Sequence, residues 1–225
     1  MSNSTGSHCV RGLSGLLDLL AKPDVLMEFK LQLLLPVLEL LQGSAGHGEE
    51  IIGAKVMAVL SAGQPEICST VVDRFLTCYP HATNDSGFQH CIEGAVASDS
   101  VEIRKFAMRY LVSSACLVGI APRETDPELF STMIKAVCSE GNRQGLDMVS
   151  QMIDQEEKIS LEKLNVICRD GLYHLAIHGT TAHDAIAILR RLASDKDGPW
   201  GFDGCLLASD VVSNVAEKLA TTYRA

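Results

Sequence analysis

Apolar residues recur at helical spacing in window after window of this 225-residue chain, and no stretch alternates strictly enough to serve as a strand. The clearest run is Leu129, Phe130, Met133, Ile134, Val137 and Cys138, which puts one apolar stripe on one helix face. Asp126 is suited to cap its start, Pro127 to fill its first turn and Gly141 to close it in a left-handed conformation. A stripe from Ile67 to Tyr79 begins after Pro65 and stops at Pro80. Another, Ile103, Phe106, Ala107, Tyr110, Leu111, Ser114 and Leu117, is entered through Ser98 and Asp99 and closed by Gly119. Later stripes centre on Leu146 to Ile153, Leu161 to Leu175, Ile186 to Ala193, and a last helix over 209–222. Before them come helices over 13–20, 23–41 (with Pro36 as a kink) and 49–60. The expected fold is all-α.

The connections are short. Gly63-Gln64, Gly141-Asn142 and Gly179-Thr180 each separate two stripes, so neighbouring helices fold back as antiparallel hairpins. First helices begin near Glu49, Gly87, Asp126 and Ser160, at spacings of 38, 39 and 34 residues. Two helices in a period of ~40 residues is the pattern of HEAT and armadillo arrays, in which each hairpin buries its apolar face against the next. The segment Asp99-Ser100-Val101-Glu102-Ile103-Arg104-Lys105-Phe106-Ala107-Met108-Arg109-Tyr110-Leu111 resembles the second helix of a HEAT repeat. That resemblance implies a short right-handed superhelix of stacked hairpins, with Asp99 and Arg104 in a polar ladder between repeats and Ile103, Ala107 and Leu111 facing inward. The other repeats share the period but not the motif, and a compact helical bundle is the alternative architecture.

Composition narrows the function classes. The chain is 47% hydrophobic and only 5% aromatic, so aliphatic side chains must do most of the packing, and neither disorder nor an aromatic-rich β-sandwich fits. Net charge is −9, divided as −4 over residues 1–113 and −5 over the rest, so no basic half is concealed and no nucleic acid is expected as a partner. The eight cysteines form no short CxxC pair, and Cys68, Cys116, Cys138 and Cys168 fall in helical patterns as small reduced core residues. Residues 1–7 are polar and small, read as a disordered start rather than a secretory signal, ahead of a single helical repeat domain over 8–225. The most apolar window, 25–41, is broken by Glu28, Lys30, Gln32, Pro36 and Glu39, so no membrane association is expected. A cytoplasmic or nuclear setting follows as the expectation.

Few residues point to chemistry. His174 and His178 share a helix face at the spacing of metal ligands, with His183 beyond the turn, yet no carboxylate stands beside them to complete a set. Cys78, His81, His90 and Cys91 surround the loop 79–87, and their second pair is adjacent in a way that makes tetrahedral closure awkward. Glu49 and Glu50, like Glu156 and Glu157, read as solvated charges. No glycine-rich phosphate loop follows a strand, so no cofactor is expected. Two features suit a binding surface: the basic turn Arg104, Lys105 and Arg109 in an acidic chain, which would take an acidic peptide, and Trp200 with Phe202 in the glycine-rich segment 197–204.

The function expected from these residues is a noncatalytic protein-interaction adaptor or assembly factor, not an enzyme. Its mechanism would be a rigid curved surface of second helices that receives a protein or peptide. The alternatives are a helical enzyme or metal-binding domain using His and Cys, and a helical nucleoprotein. The Leu-rich segment from Leu31 to Leu41 is apolar for a free end, and a second copy of the chain could cover it as a homo-oligomer.

Overall fold

The computed structural model describes residues 3–155, 159–178 and 180–222, with side chains from residue 8 onward. Among them every regular element is helical. The chain divides into two compact units, Met1–Val112 and Ser113–Ala225. The expected disordered start at 1–7 begins outside the described residues, and the first helix is described from Asn3. Glu156, Glu157 and Gly179 also lie outside them.

The first unit holds α1 (Asn3–Ala21), α2 (Met27–Gly43), α3 (Glu49–Ser61), α4 (Pro65–Cys78), a 3-10 turn (Pro80–Asn84), α5 (Ser86–Val96) and α6 (Val101–Met108). Consecutive pairs form hairpins: α1 with α2, α3 with α4, α5 with α6. First helices also pack on first helices, α1 on α3 and α3 on α5, while second helices pack on second, α2 on α4 and α4 on α6. Burial follows the stripes, with Ile67, Val71, Val72 and Phe75 of α4 and Ile103, Phe106 and Ala107 of α6 all inside.

Besides α1, which begins at Asn3 rather than near residue 13, three boundaries of this unit differ from the sequence expectation. α2 starts at Met27 rather than Pro23, because residues 22–26 form a turn and the first helical bond runs from Lys30 N to Leu26 O. α6 is capped by the Ser100 hydroxyl, which accepts from Ile103 N, rather than by Asp99. It also ends at Met108 instead of continuing to Gly119. The cause is Gln89, one helix earlier, whose Nε2 donates to the Tyr110 carbonyl at 3.0 Å while its Oε1 accepts from Val112 N at 3.1 Å. A side-chain amide thus takes up backbone groups that a longer helix would pair, and the chain leaves extended.

The second unit opens with 3-10 turns Ser114–Gly119 and Ala121–Arg123, then α7 (Pro127–Cys138), α8 (Arg143–Asp154), α9 (Leu161–Val166), a π segment (Ile167–Leu172), α10 (Tyr173–Ile177), α11 (Ala182–Ser194) and α12 (Gly201–Thr222). α7 carries the cap, proline and closing glycine expected of it: Asp126 accepts from Leu129 N, Pro127 sits in the first turn and Gly141 has φ 61°. α7 packs on α8 and on the continuous run α9–π–α10, which in turn packs on α11 and α12. Gly171 in the π segment lies where a Cβ would meet Ile134 at 3.1 Å, so the close approach of this wider turn to α7 depends on the missing side chain. α12 begins at Gly201, eight residues before the expected start, because Gly201 and Gly204 lie in its first turn rather than in a loop.

Polar ties inside each unit recur at nearly one hairpin length. In the first, Lys55 Nζ donates to Asp18 at 2.6 Å, 37 residues away, and Tyr110 Oη donates to Asp73, also 37 away. In the second, Ser131 donates to Asp170 (39 apart), Arg143 to Asp184 (41), Arg169 to Asp210 (41) and Arg191 to Asp154 (37). Each joins equivalent parts of adjacent hairpins, with Tyr110 standing just past the end of α6. Lys55–Asp18 is half-exposed and the other ion pairs are exposed, so each adds at most about 1 kcal/mol and fixes register more than it stabilises.

Candidate interaction surfaces

The residues singled out for partner binding fall in different places. Arg104 is half-buried and donates from Nη1 to the Ser98 carbonyl at 2.7 Å and to the Asp99 carbonyl at 3.0 Å, bracing the turn at its own helix start. Lys105 is half-buried in the last turn of α6, and Arg109, exposed, caps its C-terminus, where the helix dipole favours a cation. Trp200 is held by its own unit: Nε1 donates to the Ile159 carbonyl at 3.0 Å, and its Cβ lies 2.7 Å from where a Cβ of Gly204 would stand. Phe202, by contrast, is 63% exposed on the first turn of α12.

The histidine and cysteine groups come together only in part. His174 and His178 stack at 6.4 Å between ring centroids, with His178 exposed at the end of α10. Among the described residues no three of His, Cys, Asp or Glu converge as a metal-ligand set. Burial, then the charges of Lys135 and His178, hold the His174 imidazole below its ordinary pKa. The folded chain therefore binds fewer protons there than the unfolded chain, and stability falls as pH drops through the ordinary range near ~6.5 and levels off below the folded pKa. His174→Gln should flatten this acid-side loss, so the melting-temperature difference between wild type and variant changes from pH 7.5 to 5.5. A difference constant with pH would remove His174 as the cause.

The thiols divide by depth. Burial alone pushes Cys138 up to about 12, and burial also carries Cys168, despite Arg169 beside it, to about 12. Cys68 is raised likewise by burial. Thiolates are the reactive species, so these three should resist alkylation at pH 8 in the folded chain while the half-buried Cys9, Cys78, Cys91 and Cys116 react first. Mass mapping of modified sites against time checks this order.

Sequence reasoning missed a concavity of the first unit. A groove of about 870 Å³ runs between α3 and the segment from the 3-10 turn into α5. Ile51, Ala54, Met57, Phe75 and Phe88 form its apolar lining, and Glu49, Glu50, His81 and Asp85 its polar edge. Gly53 lies on its floor, where an added Cβ would touch the Phe75 ring at 3.4 Å. Glu49 and Glu50 carried a signal as adjacent acids at a helix start, but only the folded turn at 80–84 supplies the opposite wall. The groove lies between first helices, not on the second helices that the repeat resemblance pointed to.

Another apolar surface lies on α2. Leu26, Met27, Phe29, Leu31 and Leu35 are exposed, Leu35 to 64%, while Lys30 is fully buried on the inward face with Val37 and Leu41. Lys30 Nζ donates to the Lys22 carbonyl and, at 3.1 Å, to Gln64 Oε1, tying the end of α1 to the start of α4. No described helix is long and apolar enough to cross a membrane. Searches of family models, curated proteins and solved structures find no match to this chain.

Proposed function

We propose that this protein is a noncatalytic interaction scaffold, a short α-solenoid of the HEAT or armadillo kind that presents stacked helical hairpins to a protein partner. The observation that carries the reading is the layering inside each unit, with polar ties repeating at 37 to 41 residues. Such layering makes a preorganised surface from helix faces, which can bind an extended segment or helix with little ordering cost. The groove between α3 and α5 is the site assigned to that role in the first unit, and the exposed Arg109 at the end of α6 is the point at which an acidic partner would be selected.

The test compares proteins captured from the source cells by wild type, by Ala54→Trp, which fills the groove, and by Arg109→Glu, followed by reconstitution with the purified partner. Expected is a defined partner whose affinity falls about tenfold, or ~1.4 kcal/mol, in at least one variant. A set of bound proteins identical across the three baits removes both surfaces from the reading.

A further inference from the structure

We propose that the outward face of α2 docks a basic amphipathic helix of another protein. This surface is separate from the groove and does not depend on it.

Met27, Leu31 and Leu35 follow one another at four-residue steps, a single ridge along α2, and are 39%, 46% and 64% exposed. Leu26, at the N-cap just before the helix, is 77% exposed. Ridges of this spacing pack into the grooves of a second helix, and burying their leucines removes apolar surface from water. The helix also spends part of its inward face on Lys30 while leucines face out, so its exposed apolar face is not the remainder of a stripe already used in the core.

Charge selects the occupant. Between Pro23 and Gly48 the exposed ionised side chains are Asp24, Glu28 and Glu39, and the one Lys or Arg in that span, Lys30, is buried. At 100° per residue Glu28 and Glu39 fall on the same edge of the ridge, beside Leu35, and eleven residues at 1.5 Å put them about 16 Å apart. A partner helix with leucines at four-residue steps and Lys or Arg along one edge at about that separation would cover the ridge and pair both acids. A second copy fits worse. An antiparallel two-fold pair would set Glu28 and Glu39 of each copy beside the same acids of the other, with a net charge of −9 on each chain. An anionic lipid surface fits worse for the same reason, since membrane-binding helices carry cations on this edge.

The probe is a dye-labelled, helix-forming 20-residue peptide with leucines at four-residue steps and lysines along one edge, and a twin with glutamate in place of lysine. Both are titrated with the full chain by fluorescence anisotropy. The lysine peptide is expected to bind at least about tenfold more tightly than its twin. Leu31→Ser with Leu35→Ser should weaken it about tenfold or more, and Glu28→Lys with Glu39→Lys should reverse the preference, while Ala54→Trp in the groove leaves it unchanged. All these side chains except Ala54 lie on the outer face of α2 and are exposed, and matching thermal melts verify folding. Equal binding of the two peptides, no binding of either, or indifference to the α2 variants overturns the proposal. So does sedimentation of the wild type as a dimer that the leucine variants dissociate, or leucine-dependent flotation with phosphatidylcholine vesicles.

Discussion

Replacing Lys30 with alanine is expected to destabilise the first unit by about 3 kcal/mol. The amino group is fully buried and holds the Lys22 carbonyl and the Gln64 side chain, so its loss removes two bonds. Each of the two part-buried bonds is worth about 0.5–1.5 kcal/mol, and the vacated stem adds a cavity. Lys30→Met isolates the first part. It keeps most of the packing and should cost about 1–2 kcal/mol by urea denaturation. If Lys30→Met is as stable as wild type, the polar ties of Lys30 contribute no net stability, and if Lys30→Ala equals Lys30→Met, the stem contributes none.

Gly145→Val should cost the second unit about 3 kcal/mol. Gly145 lies on α8 where a Cβ would come 2.9 Å from the Val137 carbonyl oxygen and 3.4 Å from Cys138 Cα, both backbone atoms of α7 that no rotamer change can move. The two helices must separate, and overpacking of this kind typically costs about 1–3 kcal/mol, above the loss from a β-branched residue near a helix start. Gly145→Ala should destabilise less, because alanine returns up to ~1 kcal/mol of helix propensity. Gly12→Ala on α1, where no atom lies within 4 Å of the added Cβ, is the control and should stabilise by about 0.5–1 kcal/mol. Amide exchange should place the Gly145→Val effect in α7 and α8. A Gly145→Val chain as stable as wild type would mean that α7 and α8 separate at no cost.

The sequence revealed what depends on neighbours in sequence. The stripe from Leu129 to Cys138, its Asp126 cap and the left-handed Gly141 all lie within one helix and its ends, and each is found in the structure. The end of α6 was hidden because the deciding group, Gln89, is 21 residues away from the Tyr110 carbonyl it binds. In the sequence Lys30 is only a charge interrupting an apolar window; no local pattern says that a lysine will turn inward when its acceptors are the Lys22 carbonyl and Gln64. The candidate surfaces follow the same division. Arg104, Lys105 and Arg109 cluster because they share one helical turn, but the carbonyls that Arg104 braces appear only with the fold. Trp200 stood out by composition, yet the carbonyl that holds it belongs to Ile159, 41 residues earlier.

The ties that span one hairpin length also govern how either unit comes apart under load. Asp18–Lys55 and Asp73–Tyr110 join adjacent hairpins in the first unit, as Ser131–Asp170 and Arg169–Asp210 do in the second. None of these bonds reaches past the next hairpin, so tension on one end of a unit is borne by one interface at a time. Pulled end to end, such a unit is expected to yield as a zip fastener does, tooth by tooth, in steps of roughly one hairpin rather than rupturing at once.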